Sequence, residues 1–177
     1  MQIKKRKSNQ GFTLVELIIV IIILGILAAL AIPQFSASTD DAKKATLQGN
    51  LAVLRNAISL YYHQHNSVYP GAVDEADGTT AVKGTDAADA LIAQLTKYTN
   101  AAGKTSDKQD ADFPYGPYLV SMPTNPLSTT DVVTAGGEAT VTVTLDEGDL
   151  KADGKTGWLA SSKTGKIIAN NDSYSDL

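Results

Sequence analysis

Gly11-Phe12-Thr13-Leu14-Val15-Glu16, followed by the apolar run Leu17–Ile32, is the stretch on which the rest of the chain is organised. Lys4, Lys5, Arg6 and Lys7 crowd its amino side. Beyond position 11 only Thr13 and Glu16 interrupt about twenty apolar residues, enough at helical rise to cross a bilayer. The positive-inside bias keeps the basic end in the cytoplasm and sends the carboxyl side across. The pattern predicts a basic leader at 1–11, a transmembrane helix at 12–33 and an external domain at 34–177.

Glu16 is the anomaly in this run. An ionised carboxylate within a membrane helix costs roughly 3 kcal/mol on insertion scales, so it marks a function and calls for a partner. A cut between Gly11 and Phe12 would create a positive amino group four residues before Glu16. That amine can neutralise the carboxylate one helical turn away in its own chain, or reach the Glu16 of a neighbouring chain. The second option is an assembly rule, because each acid would set the axial register of the next subunit.

The Lys-rich leader, Gly11, Phe12-Thr13-Leu14-Val15-Glu16-Leu17, and Gly25 and Pro33 within the apolar run resemble the processing and methylation segment of the type IV pilins and type II secretion pseudopilins. The resemblance implies cleavage after Gly11 and methylation of the Phe12 amine by a membrane prepilin peptidase. It also implies that the helix between Gly25 and Pro33 loosens where subunits pack. Pro33 leaves the carbonyl of Ala29 without its helical partner, which supports a weak segment and equally a simple kink at the membrane exit. Two other readings of the amino end stay open. Ala29-Leu30-Ala31 has the form of a secretory cleavage site, and a plain signal anchor explains the length and orientation of the run, but neither accounts for Glu16.

Of 177 residues 43% are hydrophobic, many of them in the first 32 positions, so the remainder of the chain allows one modest domain. There is no cysteine. The formal charge of −4 becomes about −8 without the four leader cations, which leaves no basic patch for nucleic acid.

After Pro33 the helical signal resumes. Leu47, Leu51, Leu54, Ile58, Tyr61 and His65 repeat at spacings of four and three and form one stripe, which predicts a single helix from about Phe12 to about Asn66, bent at Pro33 and roughly 80 Å long. Asp40 and Asp41 stand three or four residues before Lys43 and Lys44, either as solvated intrahelical pairs or as partners between subunits. Ser67-Val68-Tyr69-Pro70-Gly71 ends the helix. A second helix is predicted at Asp86–Tyr98, capped by Asp86. Asn100–Asp112 reads as a mobile polar loop, and the proline-rich stretches Phe113–Leu119 and Met122–Leu127 as an ordered aromatic loop packed on the sheet or the long helix. Thr140–Leu145 alternates as a half-buried strand, and Ser162-Lys163-Thr164-Gly165 reads as the turn of a hairpin between Gly157–Ser161 and Lys166–Asn170. The predicted fold is α+β, a long amino-terminal helix packed on a small antiparallel sheet.

No nucleophile motif, phosphate loop or zinc spacing is present, so no enzyme is predicted. His63 and His65, two residues apart, face opposite sides of a helix and cannot chelate one metal. The order Tyr-Pro, short Leu-rich helix, Tyr-Leu and Pro-x-Asn-Pro, with no carboxyl-terminal disulfide, is similar to the G-type major pseudopilin of type II secretion. That resemblance implies a possible structural calcium held by oxygen ligands near the carboxyl end. The oxygen ligands available are Asp146, Glu147, Asp149 and Asp153 in one loop and Asn170, Asn171, Asp172 and Asp176 in the tail, with Asp146, Asp149, Asp172 and Asp176 as candidate ligands; neither group has EF-hand spacing, and solvated acidic loops are the alternative. The expected function is a filament subunit, stored in the inner membrane among its lipids and polymerised into the periplasm by an assembly platform together with minor pilins or pseudopilins. A surface type IV pilus and a lone membrane-anchored envelope domain are the alternatives.

Overall fold

The computed structural model describes residues 12–127, 141–144, 150–154 and 156–177, with the backbone alone at 30–38. Gly11, Asp146, Glu147 and Asp149 lie outside the described residues, as do Thr140 and Leu145 at the ends of the expected strand. One helix, α1 (Leu14–Gln64), runs without interruption through Gly25 and Pro33. The chain divides into two compact units at Ala42/Lys43.

In the unit that begins at Lys43 the predicted stripe is the spine of the core. Leu47, Leu51, Leu54, Ile58, Tyr61 and His65 are all buried, as helical spacing requires. The helix ends by backbone geometry. Asn66 and Ser67 both adopt positive φ, 52° and 62°, and the Ser67 N–H donates to the Tyr62 carbonyl at 3.1 Å, the long-range bond of a Schellman cap. His65 closes the same turn from its side chain, through Nδ1 at 2.8 Å from the Tyr61 carbonyl.

The second helix, α2 (Gly84–Thr96), starts two residues before the predicted Asp86 and ends two before Tyr98. Asp86 is not the cap. Lys83 holds the N-cap position with no side-chain bond, and Asp86 lies in the first turn, where its charge still complements the helix dipole. Tyr98 is lost to the helix because it pairs outside it. Strand β1 (Tyr98–Thr99) runs antiparallel to β2 (Thr105–Ser106), and Thr99 exchanges both backbone bonds with Tyr115. The predicted mobile loop 100–112 is thereby ordered at its start, where Asn100 Oδ1 accepts the N–H groups of Ala102 and Lys104, each at 3.0 Å.

The sheet is mixed, which corrects the antiparallel expectation. Strand β3 (Val141–Thr144) pairs parallel to β4 (Trp158–Ser161), and β4 pairs antiparallel to β5 (Ile167–Ala169). The hairpin predicted at 162–165 forms, whereas β3 and β4 are separated by about a dozen residues, the length at which a parallel crossover becomes possible. Val141, Val143, Trp158, Ala160, Ile167 and Ala169 share the main core with the α1 stripe and with Leu91 and Leu95 of α2. Thr142 and Thr144 are only partly covered, as the period of two predicts. The proline-rich segment packs as predicted, with Leu119 and Met122 buried and the Trp158 indole N–H donating to the Pro123 carbonyl at 2.8 Å. Arg55 of α1 donates to the carbonyls of Leu177 at 3.0 Å and Ile167 at 3.3 Å.

Candidate assembly site

Thr13 and Glu16 form a reciprocal cap at the head of α1. The Thr13 N–H and hydroxyl donate to Glu16 Oε2 at 2.9 and 2.8 Å, and the Glu16 N–H donates to Thr13 Oγ1 at 3.2 Å. This is the Thr-x-x-Glu capping box, which satisfies two helix-terminal N–H groups that otherwise have no partner. Glu16 therefore has a partner within its own chain that its need for a counter-charge does not reveal. The signal was in the sequence, in the three-residue spacing to a threonine just before the apolar run.

Every described side chain from Phe12 to Ala29 is exposed, Glu16 among them. Phe12 is 86% exposed and Leu14 73%, and Ile22 and Leu27 stay above half. A contiguous apolar surface of this size marks an interaction site with lipid or with other protein. Among the described residues no helix is long and apolar enough to cross a membrane; the described side chains of the apolar run stop at Ala29. A Cβ on Gly25 would meet nothing within 4 Å, so nothing in the single chain requires glycine there. Asp40, Asp41, Lys43 and Lys44 are all exposed.

The histidines separate as helical geometry dictates. His63 is exposed, while His65 is 1% exposed and stacks on Tyr61 with ring centroids 3.6 Å apart. A carbonyl can only accept, so Nδ1 carries the proton, and Nε2 accepts from the Thr99 hydroxyl at 2.9 Å. Burial pushes the His65 pKa below its usual value. Tyr115 and Tyr118 close the ring around it, and burial pushes the Tyr118 phenol up to about 12. Among the described residues no group of three or more histidine, cysteine or acidic side chains could hold a metal ion, and Asp172 and Asp176 are exposed in the tail. Asp153, in contrast, is joined to the buried Asn170 by two hydrogen bonds. Asn125 of the Pro-x-Asn-Pro motif is also buried and donates to the Gly157 carbonyl at 2.8 Å.

The prokaryotic N-terminal methylation motif matches residues 6–32. The chain is 39% identical to type II secretion system core protein G of Pseudomonas aeruginosa over 37% of its own length and 46% of the relative. It is 29% identical to the core protein G of Vibrio cholerae over 94% of both chains. The type IV narrow pilus major component PilA5 of Thermus thermophilus is 47% identical over 29% of this chain and 44% of its own. Apart from the Vibrio protein, the chain spans about half the length of these curated relatives. No solved structure matches it. With the capping box at the head of an exposed apolar helix, the chain carries the prokaryotic N-terminal methylation motif across that helix and is similar to type II secretion core protein G and to type IV pilins.

Proposed function

We propose that this chain is a structural subunit, not an enzyme, that polymerises into a type IV pilus-like filament as the major pseudopilin of a type II secretion system. The observation that carries the reading is the unbroken exposure of the apolar face from Phe12 to Ala29 with Glu16 at its head. Likeness to core protein G over nearly the whole chain supports the choice of system. In this reading a prepilin peptidase cuts after Gly11 and methylates Phe12. The segment 12–33 rests in the inner membrane, with the domain in the periplasm. On assembly, the apolar face exchanges lipid for the matching helices of other copies, and the segment between Gly25 and Pro33 loosens to let them pack. Glu16 then exchanges its cap for the Phe12 amine of a neighbour, which sets the register. An inner-membrane platform and minor pseudopilins complete the machinery. A surface type IV pilus is the second reading, favoured by the likeness to PilA5 along the helix.

Intact mass spectrometry of the protein from membranes tests the processing. The expected mass lacks residues 1–11 and carries one added methyl; a full-length chain, or one cut after Ala31, overturns the proposal. Glu16→Ala is expected to insert and be cleaved normally yet fail to assemble. Filaments on the cell surface at native expression would select the pilus over the pseudopilus.

A further inference from the structure

The face of the sheet turned away from the main core is covered by a short segment. Leu150 packs with Leu159 of β4 and Ile168 of β5 in a small cluster of its own. Among the described residues this cluster has three apolar side chains, and polar contacts on the carboxyl side of Leu150 add to its hold. They converge on Asn170, 1% exposed at the end of β5. Its Oδ1 accepts the N–H groups of Asp153 at 2.7 Å and Gly154 at 3.3 Å. Its Nδ2 donates to Asp153 Oδ1 and to Thr156 Oγ1, both at 2.8 Å. The orientation of the amide is forced, because a flip would set oxygen against a carboxylate and NH2 against two N–H donors. Thr156 is satisfied as well, since its hydroxyl donates to the Trp158 carbonyl at 2.9 Å and meets Thr142 Oγ1 at 3.0 Å.

We propose that Asn170 is an ion-free clamp: its buried carboxamide nitrogen occupies the point on which the Asp153 and Thr156 oxygens converge and supplies both with donors, so the sheet closes there without calcium. Calcium–oxygen distances run about 2.3–2.6 Å, so an ion at that point would have to displace the amide nitrogen. An amide NH2 supplies two donors to two acceptors and needs no balancing charge. Replacing it by a carboxylate would set a buried acid beside the exposed carboxylate of Asp153, a like-charge contact that a cation or a proton relieves.

The test is thermal unfolding of the full-length chain in detergent, with excess chelator or with millimolar calcium, and it does not depend on filament formation. The wild type is expected to give the same Tm in both. Asn170→Asp is expected to lose about 5 °C or more in chelator and to recover most of it with calcium. Asp153→Asn keeps the acceptor and removes the charge, so its Tm should stay within about 2 °C of wild type in both conditions. If Asn170→Asp does not fold, Asp153→Asn decides: retained stability supports the clamp, and a large loss overturns it. A wild-type Tm that falls in chelator, or a folded Asn170→Asp that ignores calcium, also overturns it.

Discussion

Thr13 and Glu16 solve a problem set by the apolar run beyond them. A helix with no polar side chains in its first turns has nothing to offer its free N–H groups except the residues at its head, and the capping box supplies them. Thr13→Ala removes the hydroxyl that Glu16 both receives from and gives to. The expected cost is about 1 kcal/mol at the helix start. Hydrogen exchange in detergent should show faster exchange at the Glu16 and Leu17 amides, with the amides near Leu54 unchanged and Thr13→Ser restoring most of the protection. If exchange at the head of α1 is the same in Thr13→Ala and wild type, the capping role is excluded. Glu16 was legible as a special residue from its charge alone. Its local partner was legible as well, in the three-residue spacing to Thr13, but a charge in an apolar run points to a cation first, although a carboxylate near a helix start is equally satisfied by neutral donors.

At the scale of elements, α1 was readable at once because its stripe repeats over five turns and propensity, spacing and burial agree. Leu54 sits at the middle of that stripe, fully buried, and Leu54→Ala should cost about 2–5 kcal/mol, read as a fall in the denaturation midpoint. The hairpin between β4 and β5 carries a constraint that only tertiary contact imposes. Gly165 has φ of 70°, and a Cβ there would overlap Cε1 of Tyr69, whose ring stacks on Tyr62. Gly165→Ala should therefore destabilise by more than the usual turn substitution, about 1–3 kcal/mol, and Tyr69→Leu should relieve part of that loss in the double mutant. Additive effects would show that Tyr69 is not the obstacle. The α2 boundaries moved for a related reason: Tyr98 has the spacing of a helix residue, but its neighbours Thr99 and Tyr115 form a backbone pair that ends the helix first.

For the molecule as a whole, folding takes His65 out of water in its neutral form between Tyr61, Tyr115, Tyr118 and Thr99. Its folded pKa lies below the unfolded value, so the unfolded chain takes up the proton first as the pH falls. Stability from this group is complete above about pH 6.5 and declines as the pH drops through that value, until the folded histidine is itself protonated. Thermal scans from pH 7.5 to 5 should show Tm falling in the wild type and a flatter profile in His65→Phe, which keeps the ring and removes the proton; parallel profiles would assign the acid sensitivity to another group. Asp77, held down to about 2 by bonds from Thr80 and Thr79, adds a separate loss at more acid pH, beginning as the pH falls through the ordinary carboxylate range and complete below about 2. The sequence by itself determined the long helix, its buried stripe, the exposed apolar run, the half-buried strand and the hairpin, because each follows from a local period or a turn residue. Only the tertiary structure decided the parallel pairing of β3 with β4, the end of α2 at Thr96 and the Asn170 clamp. Those depend on which distant backbone or side-chain groups meet, and hydrogen-bond partners separated by long stretches of chain leave no periodic trace in the residues themselves.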